Sequence, residues 1–240
     1  MTTPTASLAI ALAMLGGLAV PASAETRSFG ITSFDAIEVR GDTIVDLVPG
    51  HRITARAEGS REAIETLTLE MEGRTLIIRQ AIEGRYGPRR AEDGPARLTL
   101  TGQNVSSVVL RGSGQITARG LRGPQVIVRL DGPGRIEAEI PAGRAVATRA
   151  SGSGSIRLSG RAQSLQAIIA GSAAVDAGQL AVRDLDVRAG GTGSSSFAAS
   201  GRASISAMGE ANVAVAGRPR CSVTNGGAGT VVCVGPPAPR

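Results

Sequence analysis

The stretch "ASGSGSIRLSG", residues 150–160, sets three glycines and four serines around a single Ile-Arg-Leu fragment. The phrase recurs as "GSGQI" from Gly112, "GPGRI" from Gly132, "GSGSI" from Gly152, "GSAAV" from Gly171, "GTGSS" from Gly191, "GEANV" from Gly209 and "GAGTV" from Gly227. Successive copies lie 20, 20, 19, 20, 18 and 18 residues apart. So steady a period marks a stacked repeat and is not what glycine-rich composition alone would give.

Within each unit the apolar residues alternate in two short runs, such as Ile156 and Leu158 followed by Leu165, Ala167 and Ile169. A period of two is that of strands with one buried face. The same phase runs through Ile116, Ala118, Val126, Val128 and Leu130, then Ile136, Ala138, Ile140, Val146 and Thr148, then Val175, Ala177, Leu185 and Val187. The expected fold is therefore all-β: a parallel β-helix, or solenoid, with two short strands and two corners in each coil of 18–20 residues. Gly112, Gly132, Gly152, Gly171, Gly191, Gly209 and Gly227 are the expected coil corners. There glycine admits positive φ and lets one coil sit directly on the next. Seven coils at ~4.8 Å give an axis of roughly 30 Å, with walls about 10 Å apart.

The outward positions carry polar and charged side chains. On the first wall Glu137, Arg157 and Asp176 fall in one column of alternating charge. On the second, Arg129, Arg149 and Arg188 share a column interrupted by Ile168, a candidate anion-binding ladder whose plainer reading is a solvated face. Cys221 and Cys233 take inward phases on opposite strands of the last coils. In an exported chain the two are expected to form a disulfide that staples the end of the stack. They lack the Cys-x-x-Cys spacing of a redox pair.

Residues 1–24 contain no charged side chain, and an apolar run from Leu8 to Val20 precedes Ala22-Ser23-Ala24. This is the pattern of a secretory signal cleaved after Ala24, leaving residues 25–240 as one solenoid domain. No segment reaches the ~20 apolar residues of a transmembrane helix. Residues 29–80 read as strands, a helical turn in "SREAIETL" and a hairpin in "LTLEMEGRTLIIRQ"; first coils and a separate cap are both open for them. Residues 83–97 read as an exposed charged loop, 98–234 as regular coils, and 235–240 as a Pro-rich tail. The net charge of +6 favours anionic surfaces. Export and the scarcity of aromatic residues, with no Trp, one Tyr and three Phe, argue against nucleic acid.

The opening "FDAIEVRGDTIVDLVPG", the "LEMEGRTLIIRQ" hairpin and the iterated "LRGSGQI", "LDGPGRI" and "ASGSGSI" units resemble the bacterial family called putative auto-transporter adhesin, head GIN domain, over residues 29–234. The resemblance implies an exported β-solenoid of the cell envelope and carries no catalytic residues with it. With no translocator barrel in its sequence, the chain is not expected to be an autotransporter by itself.

Catalytic signals are weak. His51 is the single histidine, on a turn after Pro49-Gly50, and one histidine builds neither a Ser/His/Asp set nor a multi-histidine metal site. "GGTGSS", residues 190–195, approximates a calcium-binding repeat but has Ser195 where an aspartate is required. Arg40-Gly41-Asp42 reads as an ordinary strand-ending turn. No catalytic, cofactor or metal residues are therefore nominated, and no cofactor is expected. The sequence points to a non-enzymatic binding, adhesion-type or structural module, periplasmic or on the cell surface, with an envelope polysaccharide or protein as partner. A carbohydrate-active β-helix enzyme and a periplasmic sensor are the alternatives, and the end strands of a solenoid also offer a route to homo-oligomers.

Overall fold

Alternating Ile, Val, Leu and Ala after each glycine corner leave the chain one way to bury its apolar face, which is to wind. The computed structural model of the protein describes residues 25–80 and 94–234. The signal-like residues 1–24, most of the 83–97 loop and the 235–240 tail lie outside the described residues.

In chain order the elements are β1 (Glu25–Phe29), β2 (Ala36–Arg40), β3 (Ile44–Pro49), β4 (Thr54–Gly59), α1 (Arg61–Glu65), β5 (Leu67–Glu72), β6 (Thr75–Gln80), β7 (Arg97–Gly102), β8 (Ser107–Arg111) and β9 (Gln115–Ala118). They continue as β10 (Gln125–Asp131), β11 (Arg135–Gly152), β12 (Ser155–Gly171), β13 (Ala174–Gly191), β14 (Ser194–Gly209), β15 (Asn212–Gly217), β16 (Arg220–Asn225) and β17 (Val231–Cys233). All seventeen strands belong to one sheet that winds into a solenoid.

From β8 onward each leg pairs in parallel with the leg one coil away, as in Val126↔Val146, Val146↔Leu165 and Leu165↔Leu185. The side chains in this inward phase, such as Ile136, Ile156, Val175, Leu165, Ala167 and Val187, are buried. In β11 to β14 the two legs of a coil are one continuous strand, because the backbone keeps pairing through the second corner. Register shifts between Ile140 and Gly143 and between Ala177 and Ala181 show that this corner absorbs the variation in coil length.

The first corner is tighter. Gly112 has φ +128°, and a Cβ built on it would stand 2.5 Å from the carbonyl oxygen of Gly41. Gly132, at φ +129°, sits in the same way on Gly112. The freed space is used by backbone hydrogen bonds along the axis: the Gly114 N–H donates to Gly41 O at 2.9 Å, and Gly134 N–H to Gly112 O at 3.0 Å. Arg40-Gly41-Asp42 is thus itself a coil corner, lying under that of Gly112.

Residues 29–80 divide between coil and cap. The β2–β3 legs form a true coil, but it is sandwiched: β2 lies between β6 and β8, and β3 between β7 and β9. Beyond it the pairing turns antiparallel, with β4 on β7, β1 on β4 and β5 on β6 through a hairpin at Gly73. The α1 turn is started by Ser60, whose side chain accepts the Ala63 N–H, and it buries Ala63 and Ile64. The described strands at the N-terminal end are therefore covered by antiparallel pairing, whereas β16 and β17 each have coil neighbours on one side only.

Candidate functional site

On the first wall, the outward side chains shrink toward the C-terminal coils. Arg135, Glu137 and Arg157 give way to Ala174, Ser194, Ser196, Asn212 and Ala214, and the wall ends on Thr230 and Val232. The small side chains leave an open trough of about 480 Å³, charged at one end and uncharged at the other. At its charged end Arg157 stands 3.4 Å from both the Glu137 and Asp176 carboxylates. Asp176 also accepts from the Ser196 hydroxyl at 2.7 Å and the Gly178 N–H at 3.3 Å. The Ser196 bond first, and then Gly178 and Arg157, hold this carboxyl below its ordinary range against the opposing effect of burial. The pair of ion contacts is exposed and worth less than about 1 kcal/mol each.

Ser195, in the aspartate position of the calcium-like repeat, is buried, and its hydroxyl accepts the Val175 N–H at 3.0 Å. The residue stitches one coil to the next. Among the described residues no three His, Cys, Asp or Glu side chains come together as metal ligands. His51 is an exposed turn residue tied to Gln103, whose amide nitrogen lies 3.1 Å from its Nδ1 and 3.2 Å from its carbonyl oxygen.

The second wall places Arg129, Arg149, Ile168 and Arg188 in one column, in register. Arg188 reaches Asp186 at 3.8 Å, and no carboxylate pairs with Arg129 or Arg149 among the described residues. The column continues as Val109 and Glu38 on one side and Ser206 on the other, so its free positive charge is two adjacent guanidiniums. A separate hollow of about 390 Å³ on this wall is lined by Gln125, Ser164, Gln166, Asp184, Asp186 and Arg202, with none of the column's arginines.

A feature that outward-phase reasoning misses lies between the walls, at the second corner. It carries Arg119 and Arg122, then Arg144, Arg161, Arg183, Arg202, Arg218 and Arg220 in successive coils, all exposed. The Gly-x-Gly-type turns of the corner opposite hold no arginine. The signal is present in the sequence as the repeated Gly-Arg of residues 143–144, 160–161, 201–202 and 217–218. Cys221 and Cys233 meet next to this corner in a disulfide, with Cα atoms 6.6 Å apart, stacked over Ala203 and Val215.

Residues 33–219 match the family model described as putative auto-transporter adhesin, head GIN domain. The chain belongs to that family. Solved structures share the GIN-domain fold at low identity. A putative adhesin from Bacteroides fragilis is 16% identical with a TM-score of 0.75, over 87% of this chain and 96% of that one. A putative lipid binding protein from Parabacteroides distasonis is 18% identical with a TM-score of 0.68, over 88% and 96%. A putative adhesin from the same organism is 16% identical with a TM-score of 0.65, over 88% and 97%. No curated protein matches the sequence. Among the described residues no helix is long and apolar enough to cross a membrane.

Proposed function

We propose that this GIN domain is an exported, non-enzymatic module of the cell envelope that binds a partner, an envelope glycan or protein, along the outer face of its first wall. The observation that carries the reading is the trough of about 480 Å³. Its floor of alanine and serine on a rigid parallel sheet offers close approach to an extended ligand. The Glu137–Arg157–Asp176 column at one end supplies directed polar contacts. The carboxylates there are committed to Arg157, Ser196 and Gly178, and Asp176, whose pKa is lowered by these contacts, is poorly placed to act as a general acid.

The test is capture of envelope glycan and protein fractions by the purified mature chain, compared with a Ser194→Trp/Ala214→Trp variant whose indoles fill the trough. Loss of capture in the variant is expected. Undiminished capture, or turnover of any glycan by the wild-type chain, would remove the reading. Protease accessibility in intact versus permeabilised cells then separates a surface adhesion role from a periplasmic one.

A further inference from the structure

We infer that the second corner is a membrane-docking edge: its arginines seat the solenoid lengthwise on a surface of anionic lipid headgroups, independently of what the first-wall trough binds. Eight arginines against two carboxylates, Glu139 and Asp184, occupy this corner over six successive coils, a line of about 24 Å at strand spacing. Arg183 reaches Asp184 at 3.1 Å; the other seven have no ion-pair partner among the described residues. The three-residue glycine turns on the opposite edge hold Glu210 and no arginine in any of their seven copies, so of the two sets of corner turns only this one carries a line of arginines.

The chemistry and the shape select the partner. All 26 cationic side chains of the protein are arginine, whose planar fork takes phosphate oxygens bidentately. A corner is convex, so it cannot wrap a single polyanionic chain as a groove does, but a straight ridge meets a plane along its whole length. With no Trp, one Tyr and three Phe in the chain, sugar or base stacking has little to draw on. Binding would be electrostatic and released by salt. Lying on this edge, the molecule would turn its glycine corner toward solvent and stand both walls upright, which leaves the first-wall trough open to a partner.

The experiment is sedimentation of the mature chain with vesicles of phosphatidylcholine alone or with about 30% phosphatidylglycerol, at salt of about 50 and about 500 mM. Arg144→Gln/Arg161→Gln/Arg202→Gln/Arg220→Gln is compared with Arg129→Gln/Arg135→Gln/Arg149→Gln/Arg188→Gln, which removes equal charge from the walls. Wild type is expected to bind only the anionic vesicles, at low salt. The corner variant should lose about five-fold in affinity per arginine, and the wall variant far less. No wild-type binding at low salt, equal losses in the two variants, or capture by soluble alginate without capture by vesicles would each overturn the proposal. If the four-site variant folds poorly, the two-site Arg161→Gln/Arg202→Gln variant and salt release of the wild type make the same distinction.

Discussion

At the scale of single residues, the stack depends on atoms that are absent. A methyl group on Gly132 would stand 2.8 Å from the Gly112 carbonyl oxygen on a backbone at φ +129°. Gly132→Ala should therefore cost at least about 2 kcal/mol in urea unfolding, whereas Gly30→Ala, with nothing within 4 Å, should be near neutral. Thr148 makes the opposite case. It is buried between Val128 and Ala167, and its hydroxyl has no hydrogen-bond partner among the described residues. Thr148→Val keeps the shape and removes the orphaned group, so it should raise stability by about 1 kcal/mol; a loss would mean that the hydroxyl is satisfied in solution. Asp176 sets a pH dependence. A carboxyl whose folded pKa is depressed contributes stability that is present above its unfolded value and lost as the pH falls through the folded one. Asp176→Asn should accordingly flatten the acid limb of the stability–pH curve and leave the neutral limb less stable than wild type.

At the scale of elements, each coil leans on its neighbours, and the last leans on one side only. The disulfide ties β16 to β17 across a separation of 12 residues, and constraining such a loop is worth about 3 kcal/mol. Reduction, or a Cys221→Ser/Cys233→Ser variant, should lower stability by that order, and an unchanged melting curve would show that the last coil frays before global unfolding. The coils themselves were legible because a glycine corner under a neighbour's backbone has few substitutes, so spacing alone located it. The β2–β3 coil was harder to read. Its "GDTIV" pairs in register with "GSGQI", but Thr43 stands in place of the second glycine. Among the described residues a Cβ on Gly41 would meet only the Gln80 Cβ, at 3.7 Å, so at this end of the stack it is the positive φ of +116°, and not a neighbouring backbone, that calls for glycine. Its sandwiching between β6–β7 and β8–β9 left no local trace, since pairing partners such as Val39 and Leu110 are far apart in sequence. The arginine edge was missed for another reason: alternation sorts residues into inward and outward, and a corner belongs to neither set.

At the scale of the whole molecule, the two ends differ, and this asymmetry should dominate its dynamics. Stability in a solenoid is close to a sum of coil terms and nearest-neighbour interfaces. Legs β12 and β13 are flanked on both sides, and the N-terminal strands are covered by β1, β4, β5 and α1. The C-terminal coil instead leaves inward-phase Val223 45% exposed. Amide hydrogen exchange should therefore be slowest through β12 and β13 and fastest in β16 and β17. Reducing the disulfide should accelerate exchange in β15 to β17 first, with the gradient fading coil by coil toward β11. A single exchange rate across all coils, shifted everywhere by reduction, would instead mean that the stack opens as one unit and that the nearest-neighbour picture fails for it.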